Sequence, residues 1–156
     1  MKRYLSSTNL MAFTVGSLVL VGLYLTSLYS YLLFHTLVEV VTILIAGGIF
    51  ILAWNTRRIN DNSYLLFIGI AYVFITFIDL IHTLAYKGMS VFQGYDANLP
   101  TQLWIAARYM QGISLLIAPF YIHRKPKSTF VLAGFGSVTI LLLMSIFYWQ
   151  VFPVCY

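Results

Sequence analysis

Five ionisable side chains stand inside long apolar stretches of this chain. They are His35 and Glu39 in FHTLVEVV, Asp79 and His82 in FIDLIHTLAYKGM, and Arg108 in TQLWIAARYM. A charge carried into hydrocarbon costs about 2.5–3.5 kcal/mol on insertion scales, so such residues pair, line a watery cavity or perform a function. On helices, His35 and Glu39 share a face at a spacing of four, as do Trp104 and Arg108, and Asp79 and His82 share one at three. The guanidinium of Arg108 is the natural counter-ion for Glu39 or Asp79, and its fork can grip a carboxylate with two parallel bonds. Two carboxylates against one arginine leave a negative charge, to be met by a protonated histidine, a bound cation or protonation of a carboxylate. Three uses fit this set: an ion pair that fixes helix register, a ligand pocket, or a metal or haem site. His35, Glu39, Asp79 and His82 are donors that suit zinc or iron. Bundle metal sites usually repeat a carboxylate-x-x-His pattern, however, and only Asp79 to His82 has it.

The segments that must hold these groups are unusually apolar. Of 156 residues, 61% are hydrophobic and 8% charged, too few charges to cover a water-soluble domain. A membrane-spanning helix needs about 20 mostly apolar residues. The stretches at roughly 10–31, 35–54, 64–84, 102–122 and 129–152 meet that length. Barrel strands would instead alternate apolar and polar residues over about ten positions. The expected fold class is therefore all-α, an integral membrane helix bundle of about five transmembrane helices. The basic, apolar N-terminus lacks a small-x-small cleavage site and reads as a retained span. Pro119 is expected to kink the fourth helix or mark its exit. Gly47 and Gly48 in the second, and Gly134 and Gly136 in the fifth, are candidates for close helix approach.

Charge sets the orientation. Seven of the nine lysines and arginines fall in the N-terminus (Lys2, Arg3), the loop NTRRINDNS (Arg57, Arg58) and the loop HRKPKS (Arg124, Lys125, Lys127). The positive-inside rule puts that side, with the N-terminus, in the cytoplasm; the expected location is the cell's inner (cytoplasmic) membrane. The net charge of +5 then faces anionic lipid headgroups rather than nucleic acid. The loop AYKGMSVFQGYDANLP and the aromatic C-terminal end, with Tyr148, Trp149, Phe152 and Tyr156, face outward. At about 1.5 Å per helical residue, all five ionisable groups fall within about 10 Å of the outer boundary. The cytoplasmic half offers no matching residue, which weighs against a proton or ion transporter.

Other features carry less. Trp54 and Asn55 suit an interfacial anchor, and His123 a solvated loop position. Lys87 is a candidate rim residue for an anionic ligand, and the adjoining Gly88 suits a left-handed helix cap. The lone Cys155 excludes an internal disulfide. Neither a phosphate-binding glycine loop nor a nucleophile elbow is present, so no catalytic residues are assigned and no cofactor is required.

Three motifs occur in order: FHxxxE, then DxxHTLAYKGM, then W-x-A-x-R. Together they resemble the third type of membrane-associated sensor domain, a family abbreviated MASE that occurs in bacteria and archaea, over about residues 10–156. The resemblance implies the N-terminal sensory module of a histidine kinase, diguanylate cyclase or related signalling protein. His35, Glu39, Asp79, His82, Lys87, Gly88, Trp104 and Arg108 fall on its motif positions. Residues 1–156 are then one sensor domain, truncated at its C-terminal end and without a soluble output domain. Its expected partners are the lipid bilayer, a small ligand or ion, and a downstream kinase or cyclase domain. A homodimer is compatible with that role, although no dimer motif stands out. A membrane enzyme with a metal centre remains a competing reading.

Overall fold

A computed structural model describes residues 7–59 and 63–156, and every regular element in them is helical. The elements are α1 (Ser7–Tyr29), α2 (Tyr31–Thr56), α3 (Ser63–Ala85), α4 (Asn98–Ile117), a 3-10 turn (Ala118–Tyr121) and α5 (Ser128–Phe147). Among the described residues, five helical stretches are long and apolar enough to cross a bilayer. The basic pair Lys2 and Arg3, and loop positions 60–62, lie outside the described residues. The chain forms two compact units, Met1–Val38 and Glu39–Tyr156.

In the first unit, α1 is apolar all round and buries none of its best membrane window against protein. Leu18, Leu20 and Leu28 are exposed over about two thirds of their surface. Water would oppose such a surface; lipid tails accept it. One residue, Ser30, separates α1 from α2. Its N–H donates to Thr26 O at 2.9 Å, closing α1, and its hydroxyl accepts the Leu33 N–H at 3.3 Å, capping α2. The soft boundary expected near Leu33 and Phe34 is thus a corner at Ser30.

The second unit is built on α3 and α4. Ala71, Ile75 and Ile78 recur at helical spacing on α3, and Leu99, Leu103, Ala106, Ala107 and Met110 do so on α4. The alanines keep the two backbones close, and Ile146 of α5 closes the cluster. A second cluster joins Phe67 and Ile68 to Ala118, with the Phe67 and Tyr121 rings stacked at 4.6 Å between centroids.

Several local expectations change. The fifth helix ends at Phe147, not 152, because Gln150 adopts a φ of +52° and the chain turns back. Gln102 Nε2 donates to the carbonyls of Phe152 (3.1 Å) and Pro153 (2.8 Å), and Asn98 Oδ1 accepts the Cys155 N–H (2.7 Å). These bonds strap the C-terminal residues across the start of α4. That helix starts at Asn98 rather than 102, with Asp96 Oδ1 accepting the Asn98 N–H at 2.9 Å. Pro100 is tolerated because a first-turn N–H has no helical acceptor. Pro119 marks the exit of α4 by starting the 3-10 turn. Gly88 has a φ of +106°, but in a turn closed by Met89 N–H to Tyr86 O at 3.0 Å, beyond the end of α3.

The close-approach glycine is Gly69, which the spacing arguments missed. A Cβ built there would lie 2.6 Å from Ala53 Cβ and 3.4 Å from Ile49 O, whereas Gly47, Gly48 and Gly134 meet open space among the described residues. A Cβ at Gly136 would make ordinary contact with the Phe74 ring, at 3.5 Å. Gly69→Ala is expected to push α2 and α3 apart at a cost of about 1–3 kcal/mol, and Gly47→Ala to be neutral. Thermal unfolding in detergent micelles measures both; equal melting temperatures for the two variants would contradict the contact.

Candidate functional site

Asp79 sits six residues before the end of α3, with Thr83 one turn on donating its hydroxyl to the Asp79 carbonyl at 2.8 Å. Asp79 is buried, at 7% exposure. Arg108 of α4 reaches it and forms an ion pair from Nη2 to Oδ2. The fork does not close on the carboxylate in two parallel bonds. Arg108 Nη1 donates instead to Gln111 Oε1, one turn along α4, and Gln111 Nε2 donates to Tyr72 OH at 3.3 Å. Asp79 Oδ1 and Arg108 Nε are buried without a hydrogen-bond partner among the described residues. An ion pair kept only for stability gains from satisfying every such atom, since a buried orphan costs about 1–3 kcal/mol.

Glu39 of α2 lies within electrostatic reach of His82, Asp79 and Arg108. One of its carboxylate oxygens is within 4.8 Å of a His82 ring nitrogen. His82 is buried and its Nδ1 lies 2.8 Å from Pro100 O. A carbonyl only accepts, so Nδ1 carries the proton, which leaves Nε2 the acceptor in a neutral ring. That bond also ties α3 to the first turn of α4.

Glu39, Asp79, Trp104 and Arg108 line one cavity of about 340 Å³, together with Thr42, Ile45, Ala46, Ile49, Tyr72, Ile75 and Gln111. The volume suits a small ligand or part of a larger one. His82 does not line it; with Tyr86, Lys87 and Thr101 it borders a neighbouring hollow. Lys87 and Gly88 line a third hollow of about 330 Å³ with Tyr95 and Asp96, so neither rims the cavity of Glu39. His35 belongs to the first unit, its ring stacked on Tyr31 at 6.3 Å between centroids. Asp79 already holds Arg108, a cation that would repel a metal ion beside it. Trp54 stands at the other end of α2, with the Arg57 guanidinium 4.0 Å from its ring centroid.

Depth also differs from the simple layer. With α4 starting at Asn98, Arg108 lies ten residues, or about 15 Å, inside its helix, and Gln111 lies deeper. Polar groups therefore descend from Glu39 and Asp79 through Arg108 to Gln111 and Tyr72. Sequence reasoning missed Gln111 and Tyr72. The i+3 spacing of Gln111 from Arg108 was a usable signal; a membrane tyrosine among twelve was not.

Five membrane-length helices, three of which line a charged cavity within the second unit, define a multi-pass membrane protein with a polar site in its spans. A family model described as MASE3, membrane-associated sensor domain, matches residues 26–156, and the chain belongs to that family. The match begins inside α1, later than the expected residue 10. No curated protein and no solved structure matches the chain.

Arg108→Ala strands a buried carboxylate and is expected to cost about 3–5 kcal/mol. Asp79→Asn with Arg108→Gln removes both charges and is expected to recover most of that loss. Chemical unfolding in lipid–detergent micelles reads the cycle. A double variant as unstable as Arg108→Ala would show that the pair's charges do not set the cost.

Proposed function

We propose that this chain is the sensory module of a bacterial or archaeal signalling protein, of the histidine kinase or diguanylate cyclase type, in the inner membrane. Its ligand enters the cavity of Glu39, Asp79, Trp104 and Arg108 from the outer half of the bilayer. The observation that carries the reading is that cavity: carboxylates and a guanidinium converge on open space within a membrane-associated sensor domain. The ligand shifts α2 relative to α3 and α4, and a downstream output domain reads the shift. Such signalling requires two helix arrangements that differ in ligand affinity.

Transport is the weaker reading. Below Tyr72, Phe67, Ile68 and Ala118 form a buried apolar cluster, and the residues packed against it among those described include tyrosines but no carboxylate, histidine, lysine or arginine.

Glu39→Gln, Asp79→Asn and Arg108→Gln, placed in a signalling protein that carries this domain, are each expected to reduce the stimulus-dependent output about fivefold or more. Membrane levels of each variant are measured alongside. Unchanged output in all of them rejects this site.

A further inference from the structure

The cavity is a slot with two chemically different ends. Glu39, Thr42, Ala46 and Ile49 recur at spacings of three and four, so they form one stripe down α2. From Glu39 to Ile49 the stripe runs ten residues, about 15 Å. The carboxylates stand near one end; at the other, Ile45, Ala46 and Ile49 of α2 are joined by the uncharged Tyr72 and Gln111 of α3 and α4.

Its walls are the flanks of the helices, not their ends. Every lining residue belongs to a membrane-length segment. Two of its wall residues, Ile45 and Trp104, are themselves 60% and 46% exposed on those segments. In a bilayer that exposure faces lipid. A water-borne ligand would arrive at the loop end, where the hollow beside Lys87 shares no lining residue with this slot.

Charge selects the head group. Two carboxylates and one guanidinium line the slot, and the terminal nitrogens of Arg108 are already held by Asp79 and Gln111. An anionic head would stand against Glu39 with an excess of negative charge around it. A hydroxyl or protonated amine would donate to that carboxylate instead.

We propose that the ligand is a membrane-dissolved amphiphile whose hydrogen-bond-donating head, a hydroxyl or ammonium group, binds Glu39 while its apolar tail lies along Ile45, Ala46 and Ile49. This rests on the sensory reading above and names the ligand class for that site. The molecule reaches the slot sideways through lipid, so its effective concentration is the one in the bilayer.

Trp104 supplies the probe. In a W54F/W149F protein it is the sole tryptophan. That protein is reconstituted in lipid nanodiscs and titrated with bromine-labelled dodecanol, dodecylamine and dodecanoic acid, whose bromine quenches a nearby indole. The alcohol and the amine are expected to quench saturably, each about tenfold or more tighter than the acid. Glu39→Gln is expected to remove that preference. Ala46→Phe, which fills the tail end and leaves the charges intact, is expected to weaken the alcohol and amine by about tenfold or more. Linear, unsaturable quenching by all the probes, or an acid that binds as tightly as the amine, overturns the proposal. Saturable binding with normal signalling by the site variants keeps the amphiphile site and removes the sensory role. Lost signalling with linear quenching removes the amphiphile and keeps the sensory role.

Discussion

The second unit depends on the pairing of Asp79 with Arg108. Neither charge is tolerable alone in an apolar span, and each fixes the other's helix. With that pair in place, the register of α3 against α4 is set. Ile75 and Ile78 then meet Leu103, Ala106, Ala107 and Met110 as one apolar cluster. The His82 bond to Pro100 O and the Gln102 bonds to the C-terminal strap fix the same end of α4. Polar bonds thus specify the arrangement, and close packing of small residues lets the helices adopt it.

The pair is incompletely satisfied, and this is where structure leads to function. Arg108 divides its fork between Asp79 and Gln111 rather than giving both terminal nitrogens to one carboxylate. Asp79 Oδ1 and Arg108 Nε are left without partners among the described residues, buried behind the surface of a slot that their side chains help to line. A network with spare capacity can rearrange when a new hydrogen-bonding group enters, because bonds lost in one arrangement are regained in another. A fully satisfied pair would hold one arrangement only.

Much of this was legible in the sequence. Apolar run length gave the spans, since a run such as 64–84 has few physical alternatives to a membrane helix. Rarity gave most of the site: a glutamate, an aspartate and an arginine in hydrocarbon are conspicuous, and helical spacing joined Trp104 to Arg108. What failed depended on single backbone choices. The positive φ at Gln150 ended α5 early, and the Asp96 side chain started α4 early, which places Arg108 further from the start of its helix. Gly69 was invisible because its role lies in what stands across from it, Ala53, and not in its own neighbours. Gln111 was within reach through its i+3 spacing from Arg108, whereas nothing set Tyr72 apart from the other eleven tyrosines.

The central claim is that the space beside Asp79 and Arg108 receives a ligand, and direct imaging in a bilayer tests it most closely. An experimental structure of the protein in lipid nanodiscs, at a resolution that separates side chains, is expected to show non-protein density in the slot, with a head against Glu39 and a tail beside Ala46 and Ile49. A slot closed by Ile45 and Trp104, with Glu39 and Asp79 both bonded to Arg108, would contradict it.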